Sequence, residues 1–406
     1  MPPGKEASAG SDQRTLIRNA RQLLTLHGAS GSRCGSAMSE LRMIPNGALL
    51  INKGVIEEAG PARRIENLAA ARHAREIDAS GRIVMPAFCD PDMSLVAPPP
   101  IARRDSGNPD DGAAIRVTSK RNIQIRAAAV AVERARYGCI TAGSTTACAR
   151  DLKNTIKVLR VQKALQLKPL RIRSIYSYFP VPAEDLTQKW LPAIRKDKLA
   201  AVVDLTLEGS AIPRDAAVLA SGAGLALRIR SHRQMAPAAL LLALSGGAIS
   251  VVAPPDGLTA FTATLAKIGC VRVVPAFGTL EDELGAAENI RTAIDGGAAV
   301  ALTSGRGPMN VSSSNVQFLL YLAVAHLGMS AEEAITATTY NAACSLRMSH
   351  VTGSLEPGKW ADLTIMDVAD YRDLPRRAGH HDVNLVMRAG QVVSRRNGVS
   401  GVENHM

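Results

Sequence analysis

Ile83-Val84-Met85-Pro86-Ala87-Phe88-Cys89-Asp90-Pro91-Asp92-Met93-Ser94 begins as an apolar run and ends in carboxylates and a hydroxyl. A strand buried on both faces reads as a continuous aliphatic run, and a parallel barrel presents polar groups at the carboxyl ends of such strands. With Ile83 to Cys89 taken as a first strand, the chain beyond it alternates. Short apolar runs recur at Cys139–Thr146, Leu170–Ser177, Leu199–Leu207, Gly224–Arg230, Ile249–Ala253, Val271–Pro275 and Ala298–Thr303. Helix-like segments separate most of them, the pattern of repeated βα units, and with the first strand they make the eight that a barrel needs. The last helix has a marked start, since Ser330 and Glu333 stand at capping-box spacing before Ala334-Ile335-Thr336-Ala337.

Both flanks of this alternation read as β structure. Thr15 to Leu26 is strand-like, and Gly47 to Gly60 reads as a hairpin turning at Asn52-Lys53-Gly54. A short helix is expected near Arg63 to Arg75, then Glu76-Ile77-Asp78 and a turn at Ala79-Ser80-Gly81. Strands return at Ala361–Met366 and Asn384–Ser394. The expected organisation is a polar tail (1–13), a β domain built from 14–84 and 351–406, and a barrel over 85–350.

Composition agrees. Of the 406 residues 46% are hydrophobic but only 3% aromatic, so the core must be built from Ala, Val, Leu and Ile. The net charge of +12 raises nucleic-acid binding as a possibility. Yet the basic residues are dispersed, and the denser stretch from Arg150 to Arg173 reads as solvated helix faces, without a zinc finger, aromatic RNA-binding motif or basic arm. Nucleic acid is therefore a disfavoured partner, while an anionic small molecule stays open. Six cysteines without a Cys-x-x-Cys pair point to reduced thiols and a cytoplasmic protein. Residues 1–13 lack the apolar core of a signal peptide. Ala236 to Pro255 is nearly uncharged but is broken by Pro237, Gly246-Gly247 and Pro254-Pro255, so it reads as a buried helix, turn and strand rather than a membrane span.

Three segments carry a family resemblance. Gly47-Ala-Leu-Leu-Ile through Ile83-Val-Met-Pro-Ala-Phe-Cys-Asp-Pro resembles the entry of amidohydrolases from their β domain into their barrel. Gly353-Ser-Leu-Glu-Pro-Gly-Lys-Trp-Ala-Asp-Leu-Thr-Ile-Met-Asp resembles the return. Tyr371 to Val392, with Gly379-His380-His381-Asp382-Val383-Asn384 and Arg388-Ala-Gly-Gln-Val, is similar to the end of imidazolonepropionases. The resemblance implies a distorted (β/α)8 barrel carrying a small β-sandwich domain formed by both chain termini. It also implies a homodimer.

The same resemblance locates the expected metal centre. Its first-strand His-x-His corresponds here to Asp92 and Ser94, its strand-five His to Arg230, and its strand-eight Asp to Gly305. A hydroxyl is a poor replacement for imidazole, and a guanidinium repels a cation. Phe179 stands where a substrate-binding His is expected, and Val251-Val252-Ala253-Pro254 ends strand six without the relatives' His. Asp204-Leu205-Thr206-Leu207-Glu208-Gly209 resembles the strand-four segment whose Glu contacts substrate, which makes Glu208 and Asp92 the catalytic candidates. A solvated acid, or a partner for Arg230, is the plainer reading of Glu208. Asp90, Asp92, Asp204 and Glu208 together leave an oxygen-rich site for a hard cation open. Cys89 lies beside the site with no His placed as its base, which suits a buried thiol better than a nucleophile.

The principal expectation is an amidohydrolase-family protein without the usual metal ligands, non-catalytic or diverged, binding a small molecule or partner at the barrel cleft and needing no cofactor. The alternative is an active hydrolase of a non-peptide C–N bond such as a cyclic amide, requiring zinc or iron. A scaffold or polyanion-binding role is a third possibility, and salt-dependent binding would distinguish it.

Overall fold

The computed structural model describes residues 14–96, 115–147, 149–166, 169–207, 214–231, 245–254, 262–276, 286–305 and 314–396. Glu208 lies outside them.

In chain order the strands are β1 Thr15–Leu24, β2 Met43–Asn52, β3 Val55–Pro61, β4 Arg75–Asp78, β5 Ile83–Pro86, β6 Phe88–Met93, β7 Cys139–Thr145, β8 Arg171–Ser177, β9 Val202–Leu207, β10 Ala226–Ser231, β11 Ser250–Val252, β12 Val271–Pro275, β13 Ala299–Thr303, β14 Leu363–Met366, β15 Val383–Arg388 and β16 Gln391–Arg395. Strands β6 to β13 pair in order as one parallel eight-stranded sheet. The last of them returns to the first through the Thr303 hydroxyl, which donates to the Asp92 carbonyl at 2.8 Å. That near-closure makes the barrel.

Alternation along the strands sorts its two sides. Val202, Ala226, Val273 and Ala301 meet in an interior cluster, while Val203, Leu205, Leu227 and Ile229 face outward against helices. Helices α1 (Lys120–Arg136) and α2 (Leu152–Leu165) start on Ser119 and Asp151, which accept from the Asn122 and Asn154 amides at 3.2 and 2.9 Å. Helix α3 (Ala331–Thr338) has the expected capping box, with Ser330 and Glu333 each binding the other's backbone amide. Helix α4 (Tyr340–Ser345) plugs the amino end of the barrel, where the Ser250 hydroxyl donates to the Ser345 carbonyl at 3.2 Å.

Both chain ends build the second sheet, in the order β16-β15-β14-β5-β1-β2-β3, with β4 also paired to β1. Its two extremes meet. Gly54 in the β2–β3 turn lies against the Ala389 carbonyl, so close that an added Cβ would come within 2.6 Å of it. The sheet thus curls on itself around Ile17, Leu49, Ile56, Val84, Leu363 and Leu385. Lys53 and Gly54 both have positive φ, 49° and 82°, as the expected hairpin turn requires.

Several local expectations change. The opening stretch holds two strands: Ile83–Pro86 belongs to the terminal sheet, and only Phe88–Met93 belongs to the barrel. The expected helix near Arg63 to Arg75 is one turn at Ala62–Glu66 and a 3-10 turn at Ala69–Ala71. Asn384–Ser394 is a hairpin, β15 and β16, turning at Ala389-Gly390. The expected strand at Leu170–Ser177 is β8, so Arg171 and Arg173 are not on the solvated helix faces also expected of the charge-rich stretch Arg150 to Arg173, and Arg171 is buried. No helix among the described residues is long and apolar enough to cross a membrane.

Candidate functional site

The carboxyl ends of the barrel strands converge on a buried charge cluster. Strands β9 and β10 pair with Asp204 opposite Arg228, so the alternation that turns Val202 and Ala226 inward also turns in Asp204, Arg228 and Arg230. Strand β6 contributes Asp92. Its register against β7 shifts between Asp90 and Met93, a bulge-like irregularity that turns Asp92 toward Arg228 while Asp90 meets the outer helix.

Arg228 is fully buried, and its three contacts run to the Pro91 carbonyl at 2.9 Å, to Asp92 Oδ1 at 2.8 Å and to Asp204 Oδ2 at 2.8 Å. Arg230, with its side chain 17% exposed, is the member nearer solvent. Its Nη1 and Nη2 donate to the two Asp92 oxygens at 3.0 and 2.7 Å, and its Nε and Nη2 donate to Asp204 Oδ2 at 3.0 and 2.9 Å. Two cations and two anions therefore form a neutral cage. Burial alone pushes the Asp92 carboxyl up, but Arg230 and Arg228 more than reverse this and hold it well below the ordinary range. Asp204 is depressed by the same guanidiniums, against burial.

A second ion pair supports the first strand. Arg134 of α1 donates to Asp90 Oδ2 at 2.8 Å and to the Ser304 hydroxyl at 2.9 Å. Thr303 and Ser304 also donate their hydroxyls to Asp90. The sequence reading missed Arg134 and the role of Arg228. For Arg228 a signal existed, because it lies two residues before Arg230 and so shares its face of the strand. No signal distinguished Arg134 among the many basic helix residues.

The other expected residues are placed as follows. The Gly305 amide donates to Thr303 Oγ1 at 3.2 Å, which ties it to the cage through the Thr303–Asp92 bond. Its φ is +55°, and an added Cβ would come within 2.9 Å of Pro275 Cβ. Ser94 donates its hydroxyl to the Val96 carbonyl at 2.9 Å. Phe179 is 40% exposed beyond the end of β8, with the Arg150 guanidinium 5.8 Å from its ring centre, and takes no part in the cage. The structure brings Asp92, Asp204, Arg230 and, through Thr303, Gly305 together. Asp90, once grouped with Asp92 and Asp204 as an oxygen-rich cation site, is instead taken by Arg134, and guanidiniums fill the space between the other two carboxylates. No group of three or more His, Cys, Asp or Glu side chains able to share a metal ion occurs among the described residues. Cys89 is buried, and burial pushes its thiol well above the ordinary range.

Comparison with known proteins agrees with this architecture. The amidohydrolase family description matches residues 285–393. Triazine hydrolase from Arthobacter aurescens superposes with a TM-score of 0.69 at 17% identity, over 94% of this chain and 95% of that one. E. coli guanine deaminase does so with a TM-score of 0.69 at 15% identity, over 95% and 100%. The family match and a relative 33% identical over nearly its whole length make the chain a member of the amidohydrolase superfamily. Among its relatives, the imidazolonepropionase of Solibacter usitatus is 33% identical over 94% of this chain and 99% of its own length. That of Brevibacillus brevis is 29% identical over 93% and 97%. The chain belongs to the imidazolonepropionase-like branch of the superfamily.

Proposed function

We propose that this chain is an imidazolonepropionase-like protein whose cleft has exchanged metal chemistry for an arginine–aspartate lock, and that it binds a small molecule or partner there instead of hydrolysing. The observation that carries this reading is the contact of Arg230 with both Asp92 and Asp204. Metal-assisted hydrolysis needs about three protein ligands and an open position for water. The described residues at the positions expected from the family do not fit a divalent cation. Both Asp92 oxygens accept from guanidiniums, which cannot be deprotonated in a protein. Ser94 and Gly305 supply no imidazole or carboxylate. Arg228 and Arg230 supply fixed positive charge, but a guanidinium does not ionise water as a Lewis acid does. Cys89, Cys139 and Cys270, free and buried, suit the proposed cytoplasmic location, and a homodimer is what the resemblance implies.

A second reading, hydrolysis of a cyclic amide, draws on the name of the near-full-length relatives. It gives catalysis to Glu208 and Asp92 and requires zinc or iron. The two are separated by incubating the full chain with imidazolonepropionate, with and without added zinc or ferrous iron. The proposal expects no turnover above background. Metal-stimulated turnover that disappears in Asp92→Asn or Glu208→Gln would overturn it.

A further inference from the structure

At the opposite end of the barrel from the cage lies a cavity of about 550 Å³. It opens among the starts of the strands: Ile249 directly precedes β11, Ile268 and Gly269 precede β12, and Arg173 projects from the first half of β8. Arg347, Ser349 and His350, which follow the α4 plug, close its other side. None of the cage residues lines it.

Its charge is one-sided. Arg173, Arg347 and His350 line the cavity, and no Asp or Glu stands among the described lining residues. The Arg173 Nε is buried without a hydrogen-bond partner, although an unpaired buried donor is costly. Arg173 is made less basic first by burial and then by Arg347, and His350 by burial with Arg173 and Lys359 adding to it. The two guanidiniums repel each other as the cavity stands, and an anion between them removes that repulsion.

The walls define the rest of the occupant. Gly247 and Gly269 turn with φ of +61° and +65°, and a Cβ added at either meets nothing within 4 Å, so bare backbone leaves the space open. Ala248, Ile249 and Ile268 add apolar surface. Cavities that hold organic ligands run roughly 300–1,000 Å³, far more than a lone inorganic anion needs. A phosphate monoester carries about −1.5 to −2 charges at neutral pH, enough to satisfy two guanidiniums, and its oxygens match their forked donors.

We infer that this cavity is a binding site for the phosphate monoester of a small organic molecule, with Arg173 and Arg347 gripping the phosphate and Ile249 and Ile268 flanking the organic part. The site stands apart from the cleft and does not rest on the reading proposed for it.

Titration calorimetry of the full chain with phenyl phosphate, phenol and inorganic phosphate tests this. Saturable binding of phenyl phosphate is expected, weaker binding of inorganic phosphate, and none of phenol. Arg347→Gln and Arg173→Gln should each weaken phenyl phosphate by about tenfold or more. Arg126→Gln, an exposed charge on α1, should change it less than about twofold. Arg347 is exposed, so its variant decides the matter if Arg173→Gln fails to fold. No saturation by phenyl phosphate, tighter binding of phenol or inorganic phosphate, affinity unchanged in Arg347→Gln, or an equal loss in Arg126→Gln would each overturn the inference.

Discussion

Arg230 grips Asp92 with both arms of its guanidinium, Nη1 at 3.0 Å from one carboxylate oxygen and Nη2 at 2.7 Å from the other. Such fork-to-fork pairing is the strongest geometry open to an arginine and a carboxylate. It fixes Asp92 at the carboxyl end of the first barrel strand; Arg228 holds Asp92 from another side, and Asp204 holds Arg230 in place.

Breaking the cage should be costly, because the charges left behind have no water to turn to. Arg228→Met removes a fully buried cation that serves Asp92, Asp204 and the Pro91 carbonyl. It should destabilise the protein by about 3–5 kcal/mol in urea unfolding. Arg230→Met should cost less, since its side chain is 17% exposed and water can screen what it abandons. Unchanged stability in Arg228→Met would mean that the cage contributes no electrostatic cohesion.

Acid should loosen the same cluster. Asp92 and Asp204 titrate below their ordinary range in the folded protein. Their stabilisation is therefore complete above the unfolded aspartate pKa of about 4 and is lost as pH falls toward the depressed values. Urea midpoints measured from neutral pH downward should hold and then fall below pH about 4. Asp92→Asn should be less stable at neutral pH and show a shallower acid decline.

Gly143 in β7 has no room for a methyl group. An added Cβ would lie 2.3 Å from the Pro91 carbonyl oxygen and 2.8 Å from Leu346 Cδ2. The Pro91 carbonyl also accepts from Arg228, so the displacement reaches the cage. Gly143→Ala should cost about 1–3 kcal/mol by thermal unfolding, as overpacking does. An unaltered melting temperature would show that the β6 end yields freely.

The buried thiols should be inert. Burial raises Cys139 and Cys270 to about 12. Iodoacetamide at neutral pH should leave both unmodified in the native protein and label them after denaturation, as read by peptide mass spectrometry. Native labelling of Cys139 would contradict its place inside the barrel wall.

The parts legible in the sequence were those fixed by local chemistry. Lys53-Gly54 marked its own turn, and Ser330 with Glu333 marked its helix start. The aliphatic runs found all eight barrel strands, but they could not divide Ile83–Met93 between two sheets, because a strand in either sheet is buried on the same scale. Arg171 and Arg173 show the opposite difficulty. Charged residues in a strand resemble those of a solvated face until tertiary partners, Asp362 for Arg171 and an open cavity for Arg173, appear. Asp92 and Arg230 were singled out as metal positions by family likeness. That they bind each other depends on a register shift in β6 that no spacing announces.

The central claim is that guanidiniums occupy the place of the metal. Elemental analysis of the purified full chain, before and after dialysis against zinc and ferrous iron, tests it most directly. The lock predicts far less than one metal ion per chain under either condition. About one tightly held zinc or iron per chain, lost in Asp92→Asn, would contradict it.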